Sequence, residues 1–264
     1  MADVKNEVKV LSKFEENLVG LLGKGFKAIP SDVNTDRLKI NALMYIGSDK
    51  KLTELAVNQS AKIAQIVYNF IVLGLDMMNK ECYIIPFKDE LVVIKDYKGE
   101  RKLAKKYSID PIREIYSRVV YEKDEFYFDD LDHFKHKFNP FNLDRGNKIG
   151  AFCTIVFENG VIQTEFVNLE EIQKVKDFSK SSKSDFSPWR NWEESMFQKT
   201  AIRKALKTLS LDFGNTMIQN AYSQTDNDVD FAPRQNKQQV TVQKDVLDAE
   251  VVEQGQEIDL HSLE

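Results

Sequence analysis

Residues 149–178 read IGAFCTIVFENGVIQTEFVNLEEIQKVKDF, and the mixed α+β character of the chain is decided there. Both flanks of Asn159-Gly160 are rich in β-branched and aromatic residues, so each is expected to be a strand. The Asn-Gly pair supplies the positive φ angles that a tight hairpin turn requires. Asn168, followed three places later by Glu171, makes an Asn form of the capping box, which opens a helix running to about Phe178.

Working upstream, REIYSRVVY and EFYF read as a second strand pair around EKD, and residues 129–148 (with FNPFNLDRGNK) read as loop. CYIIPF, the turn-like KDE and LVVIKDY make a further hairpin, after which residues 99–107 form a short basic helix. Residues 52–73 make one long helix stopped by Gly74, residues 35–46 a shorter one after the cap-like SDVNTD, and residues 8–26 an amphipathic helix carrying Leu11, Phe14, Leu18, Leu21 and Leu22. That first helix docks on its own domain or on a neighbouring subunit.

Downstream, SKSSKSDF is a loop, and Pro188 suits the first position of a helix over 187–211, SPWRNWEESMFQKTAIRKALKTLSL. On a helical wheel Ile202, Ala205, Leu206, Leu209 and Phe213 share one face, the part expected to bury against the sheet. Beside it Trp189, Trp192, Met196, Thr200, Arg203, Lys204 and Lys207 form a stripe mixing aromatic rings with cations. Cations neutralise phosphates and indoles offer stacking faces, the combination used in grooves for single-stranded nucleic acid. The alternative is a solvated basic edge beside core tryptophans. The fold class expected is therefore α+β: N-terminal helices and antiparallel β-hairpins packed on a long C-terminal helix.

Charge is unevenly spread. Residues 221–264 hold ten carboxylates against three cations, so the tail carries −7 and the rest of the chain +2 of the total −5. Low in aromatics and rich in Gln, Asp and Asn, the tail reads as a disordered, acidic interaction segment, with EIDLHSL as a candidate docking motif. The expected divisions are residues 1–34 (a docking or oligomerisation helix), 35–220 (the core) and 221–264 (the tail). Cys82 and Cys153 sit in apolar, β-prone runs and read as core thiols rather than a disulfide, which fits a reducing compartment. With no signal-peptide pattern and no span-length apolar run, a soluble cytoplasmic protein without membrane contact is expected.

Pro-Trp, a Glu, then Met-x-x-Lys-Thr-Ala-Ile-Arg-Lys resembles the C-terminal core motif of the RecT family of phage recombinases. Upstream, LGLDMMNKECYIIPFKDELVVIKDYKG, VVYEKDEFYF and LEEIQKVKDFSK match the family pattern in order, so the resemblance runs from about Leu52 to Leu211. It implies a Rad52-like annealing core, binding of single strands without ATP, and annealing of complementary strands in homologous recombination. It also implies homo-oligomeric rings or helical filaments that hold single-stranded DNA and the annealed duplex in a basic groove. No cofactor is implied beyond loosely bound magnesium at most. A phage exonuclease or a host single-strand binding protein is the partner expected at the tail, which otherwise mimics DNA or merely solubilises the chain.

Candidate DNA contacts are Lys95, Lys98 and Arg101 around the Tyr97-x-Gly99 turn, Arg118 (with Arg113 on the opposite strand face), Arg145 and Lys148 in one loop, and Lys183 (with Lys180) in another. Trp189, Arg190, Lys199, Arg203, Lys204 and Lys207 complete the set.

Other signals weigh less. GLLGKGF at 20–26 lacks the Gly-Lys-Ser/Thr ending and the preceding strand of a phosphate loop. His133 and His136 near Asp129, Asp130 and Asp132 form an incomplete metal set. Glu165, Asp185, Glu193 and Glu194 leave open a metal-dependent nuclease as the alternative activity, and a purely structural, self-assembling protein as a third.

Overall fold

The computed structural model describes residues 2–25, 29–87, 90–128, 134–179 and 187–225. In chain order these form α1 (Ala2–Gly25), α2 (Thr35–Gly47), α3 (Lys50–Asn58), α4 (Ser60–Leu73), β1 (Cys82–Phe87), β2 (Glu90–Lys95) and α5 (Tyr97–Tyr107). There follow β3 (Ile112–Tyr121), β4 (Glu125–Phe128), β5 (Phe134–Lys137), β6 (Lys148–Phe157), β7 (Ile162–Asn168), α6 (Leu169–Phe178), α7 (Pro188–Asn191), α8 (Glu193–Lys207) and α9 (Thr216–Gln224). Mixed α+β with antiparallel pairing is thus the architecture.

The quoted hairpin forms as expected, β6 against β7 with Cys153 opposite Glu165. Of the turn pair only Gly160 has positive φ, at 87°; Asn159 instead accepts the Val161 amide on its side chain at 2.9 Å. The capping box is complete, Asn168 accepting from the Glu171 amide at 2.9 Å and donating its own amide to the Glu171 carboxylate at 3.1 Å. Gly74 ends α4 at φ 74°, the left-handed conformation a helix stop favours.

Strand pairing departs from the expected three consecutive hairpins. β3 pairs with β6, giving the sheet order β3-β6-β7, while β4 pairs with β5, a strand lying in the stretch read as loop. The expected 52–73 helix is two helices, broken at Gln59 (φ −129°, ψ 38°). Likewise the expected 187–211 helix is broken at Trp192 (φ −138°, ψ 46°), so the helix lying on the sheet is α8 alone, 15 residues long.

Two apolar cores result. One gathers Phe14 and Leu18 of α1, Leu38 and Ile46 of α2, the inner face of α4, Ile84 of β1 and Ile218 of α9. The other joins Ile115 and Val119 of β3 and Cys153 and Ile155 of β6 to Ile172 of α6 and to Phe197, Ala201, Ile202 and Ala205 of α8. α5 serves both, with Leu103 and Tyr107 in the first and Ala104 in the second. The sheet's opposite face is covered by the β4–β5 hairpin, whose Phe134 ring lies 4.9 Å from Phe152 and 5.2 Å from Phe166. Both cysteines are free and buried, and burial pushes their thiols up, Cys153 to about 12. Among the described residues no helix is long and apolar enough to cross a membrane.

Candidate nucleic-acid interface

α8 lies across the sheet with its cations on both flanks, and each flank meets a neighbouring helix. Toward α5, Lys199 stands 3.6 Å from Asp96, and Arg203 donates to Glu100 at 3.1 Å and to the Lys95 carbonyl at 3.0 Å. Burial here acts on both signs of charge. It pushes the Glu100 carboxyl up despite Arg203 and Lys95, and it pulls the Lys199 ammonium down, helped by Arg203 beside it. Toward α6, Lys204 donates to Glu171 and to the Phe166 carbonyl, both at 2.8 Å. Burial alone would raise the Glu171 carboxyl, but Lys204 and the capping amide outweigh it and hold it low.

The start of α8 meets the β3–β6 end of the sheet. Tyr121 donates to Glu194 at 2.5 Å, and Lys148 and Lys176 stand 3.1 and 3.5 Å from the Glu193 carboxylate. Arg145 is not a loose loop cation. It donates to both Asp124 oxygens at 2.8 and 2.6 Å, and its guanidinium lies 4.1 Å from the rings of Tyr121 and Phe138. His136 Nε2 contacts the same Asp124 carboxylate at 2.8 Å.

The expected contacts therefore divide. Lys98, Arg118, Arg190 and Lys207 are exposed. Arg101 reaches the Ile115 carbonyl at 2.8 Å, and it is half-buried like Arg145, Lys148, Lys199, Arg203 and Lys204, each already held by carboxylate or carbonyl oxygens. Lys95 is 3% exposed, its ammonium 3.6 Å from the centre of the Tyr222 ring. Trp189 is 2% exposed and belongs to the core with Phe197 and Ala201, so its ring offers no stacking face in this conformation. Thr200, also placed in the stripe, is buried and returns its hydroxyl to the Met196 carbonyl at 2.8 Å. Trp192 is the exposed indole, at 70%.

The sheet also separates some of these groups. Arg118 is in register with Phe152 on the hairpin-covered face, its guanidinium 5.5 Å from the Phe138 ring, whereas Lys199, Arg203 and Lys204 belong to the helix that covers the other face. Arg113 is exposed. Lys180, Lys183, Asp185, His133, Asp129, Asp130, Asp132 and the chain from 226 onward, EIDLHSL included, lie outside the described residues. Among those described, no group of three or more His, Cys, Asp or Glu side chains is disposed around a common metal position. Of the nuclease carboxylates, Glu193 and Glu194 are bonded as above, and Glu165 sits on β7 opposite Cys153.

Fold and site together define an α+β protein in which a cationic helix is clamped onto an antiparallel sheet. Comparison with protein-family models matches residues 40–241 to the RecT family, most of the chain, and the chain belongs to that family. RecT-family proteins are single-strand annealing proteins of DNA recombination. The matched region extends on both sides of the 52–211 resemblance and past residue 221, into the segment read as tail. A search of curated proteins returns no match.

Proposed function

We propose that this chain binds single-stranded DNA and anneals complementary strands without ATP, in phage homologous recombination, as a homo-oligomer that holds the phosphate backbone in a basic groove and leaves the bases free to pair. The family match over residues 40–241 carries the proposal. Annealing needs no nucleophile and no general base: a strand gripped by its phosphates leaves its base edges open, and complementarity decides which second strand stays. Lys98, Arg190 and Lys207, exposed on the surface, are the cations best placed to meet phosphate, while exposed Arg118 lies on the face of the sheet away from α8.

The half-buried cations Arg101, Lys199, Arg203 and Lys204 act in this reading mainly by fixing α5, α6 and α8 on the sheet, with their field adding to the groove. The acidic tail docks a partner, an exonuclease or a single-strand binding protein. Its role is best read from a chain cut after Thr225, since a cut at Ala221 would remove a buried residue of α9.

Binding to an oligonucleotide at increasing salt tests the proposal. Affinity that falls steeply, with a log–log slope of about −0.7 for each phosphate engaged, supports it. A flat dependence with folded protein contradicts it, and magnesium-dependent loss of full-length DNA would point to the nuclease alternative.

A further inference from the structure

The connection between β5 and β6 carries two large apolar side chains turned wholly outward: Phe141 is 87% exposed and Leu143 101%. A loop with exposed apolar tips normally collapses or moves, yet this one is fastened along its length. Asn139 accepts the Phe141 amide and Asn142 the Asp144 amide, both at 3.0 Å, and Lys123 pairs with Asp144 at 2.5 Å. Lys123 and Glu122 donate their amides to the Arg145 and Asn147 carbonyls at 3.0 Å, while Asn147 donates its own amide to the Glu122 carboxylate at 2.9 Å. Arg145 is locked onto Asp124.

The same loop meets the start of α8. Arg145 stacks on Tyr121, Tyr121 is bonded to Glu194, and Lys148 is paired with Glu193, the residue after exposed Trp192. Trp192 and the Phe141–Leu143 tip thus belong to one end of the sheet, with Arg190 exposed two residues before Trp192 and the Lys123 side chain, paired with Asp144 of the loop, 56% exposed.

We propose that Phe141, Leu143 and Trp192 contact base faces of the bound strand, the fixed loop tip acting as an apolar wedge and the indole as a stacking face, while the base edges stay open to pair. This rests on the single-strand-binding reading above and names the base-contacting part of that site. A protein partner fits less well, because a stable interface covers about 800 Å² on each side and three apolar side chains supply only a small part of that. Every base has an apolar face, and ordering the loop beforehand removes an entropic cost of binding.

The test uses the full-length chain with two probes of equal length, a dT oligonucleotide and a wholly abasic strand. Trp189 is buried, so emission accessible to acrylamide reports Trp192. Saturating dT is expected to protect it and the abasic strand is not. Phe141→Ser with Leu143→Ser is expected to weaken dT binding roughly five- to hundredfold, the range of one lost base-stacking contact, while leaving abasic binding unchanged. Equal losses on both probes overturn the proposal, as does normal dT binding by that variant with Trp192 still accessible in the unaltered chain. A DNA-free drop in oligomer mass on light scattering also overturns it, marking the tip as a subunit contact. Failure of the unaltered chain to bind either probe would instead remove the single-strand-binding reading, and this inference with it.

Discussion

Arg203 of α8 donates its Nε proton to the Glu100 carboxylate of α5 at 3.1 Å, and its guanidinium also holds the Lys95 carbonyl. A residue whose helical position offers it to phosphate is thus already engaged with a largely buried carboxylate. Removing one partner of such a pair leaves the other charged and uncompensated. Arg203→Ala is expected to cost about 3–5 kcal/mol in a urea titration, and Arg203→Met with Glu100→Gln together much less. If Arg203→Ala leaves stability intact and removes only DNA binding, the pair is not structural.

The same pair predicts a pH dependence. Burial holds the Glu100 carboxyl above its ordinary value of 4.5, so the folded chain keeps this proton longer than the unfolded one. Its contribution to stability therefore declines as pH rises from 4.5 through the folded value, and Glu100→Gln should remove that decline in melts across this window.

Asp124 gives the opposite sign. Burial would raise its carboxyl, but hydrogen bonds from Arg145, His136 and the Tyr121 amide outweigh burial and hold it below 3.8. Its stabilisation is present above 3.8 and is lost as pH falls through the lowered folded value. Asp124→Ala strands a half-buried guanidinium and a buried imidazole and should cost about 3–5 kcal/mol. Hydrogen exchange at 134–147 should accelerate more than in α4; uniform protection would mean that Asp124 does not fasten this stretch.

Gly99 sits where a Cβ would come within 2.2 Å of the Glu81 carbonyl oxygen, at the entry to α5. Gly99→Ala forces that backbone apart and should lower stability by about 1–3 kcal/mol, read as a depressed melting temperature. An unchanged melt would mean that β1 can yield there.

Lys98→Ala and Lys207→Ala alter exposed side chains and should shift stability by less than about 0.5 kcal/mol. Each that meets phosphate should flatten the salt slope of single-strand binding by about 0.7. Variants with native stability and native slope would move the groove elsewhere on the surface.

Local signals in the sequence proved reliable, as the Asn168–Glu171 capping box, the Gly74 helix stop and the β6–β7 hairpin all show. What failed was non-local. Nothing within REIYSRVVY announces a partner some thirty-five residues on, and β5 is four residues long, alternately half-buried and exposed, within a charged stretch. Trp189 was misplaced because a wheel assumes one continuous helix, whereas the break at Trp192 resets the angle and turns Trp189 inward. The clamping of Lys199 and Arg203 was equally hidden, since Asp96 and Glu100 lie about a hundred residues away in sequence. Only the spacing of cations was legible there.

Nucleotide-independent annealing is tested by mixing two complementary oligonucleotides with the full-length chain and following duplex formation. Annealing is expected to be faster than the protein-free rate in the absence of ATP, with no further gain when ATP is added and with DNA of undiminished length. Annealing no faster than the protein-free rate, or acceleration only with ATP, would contradict it.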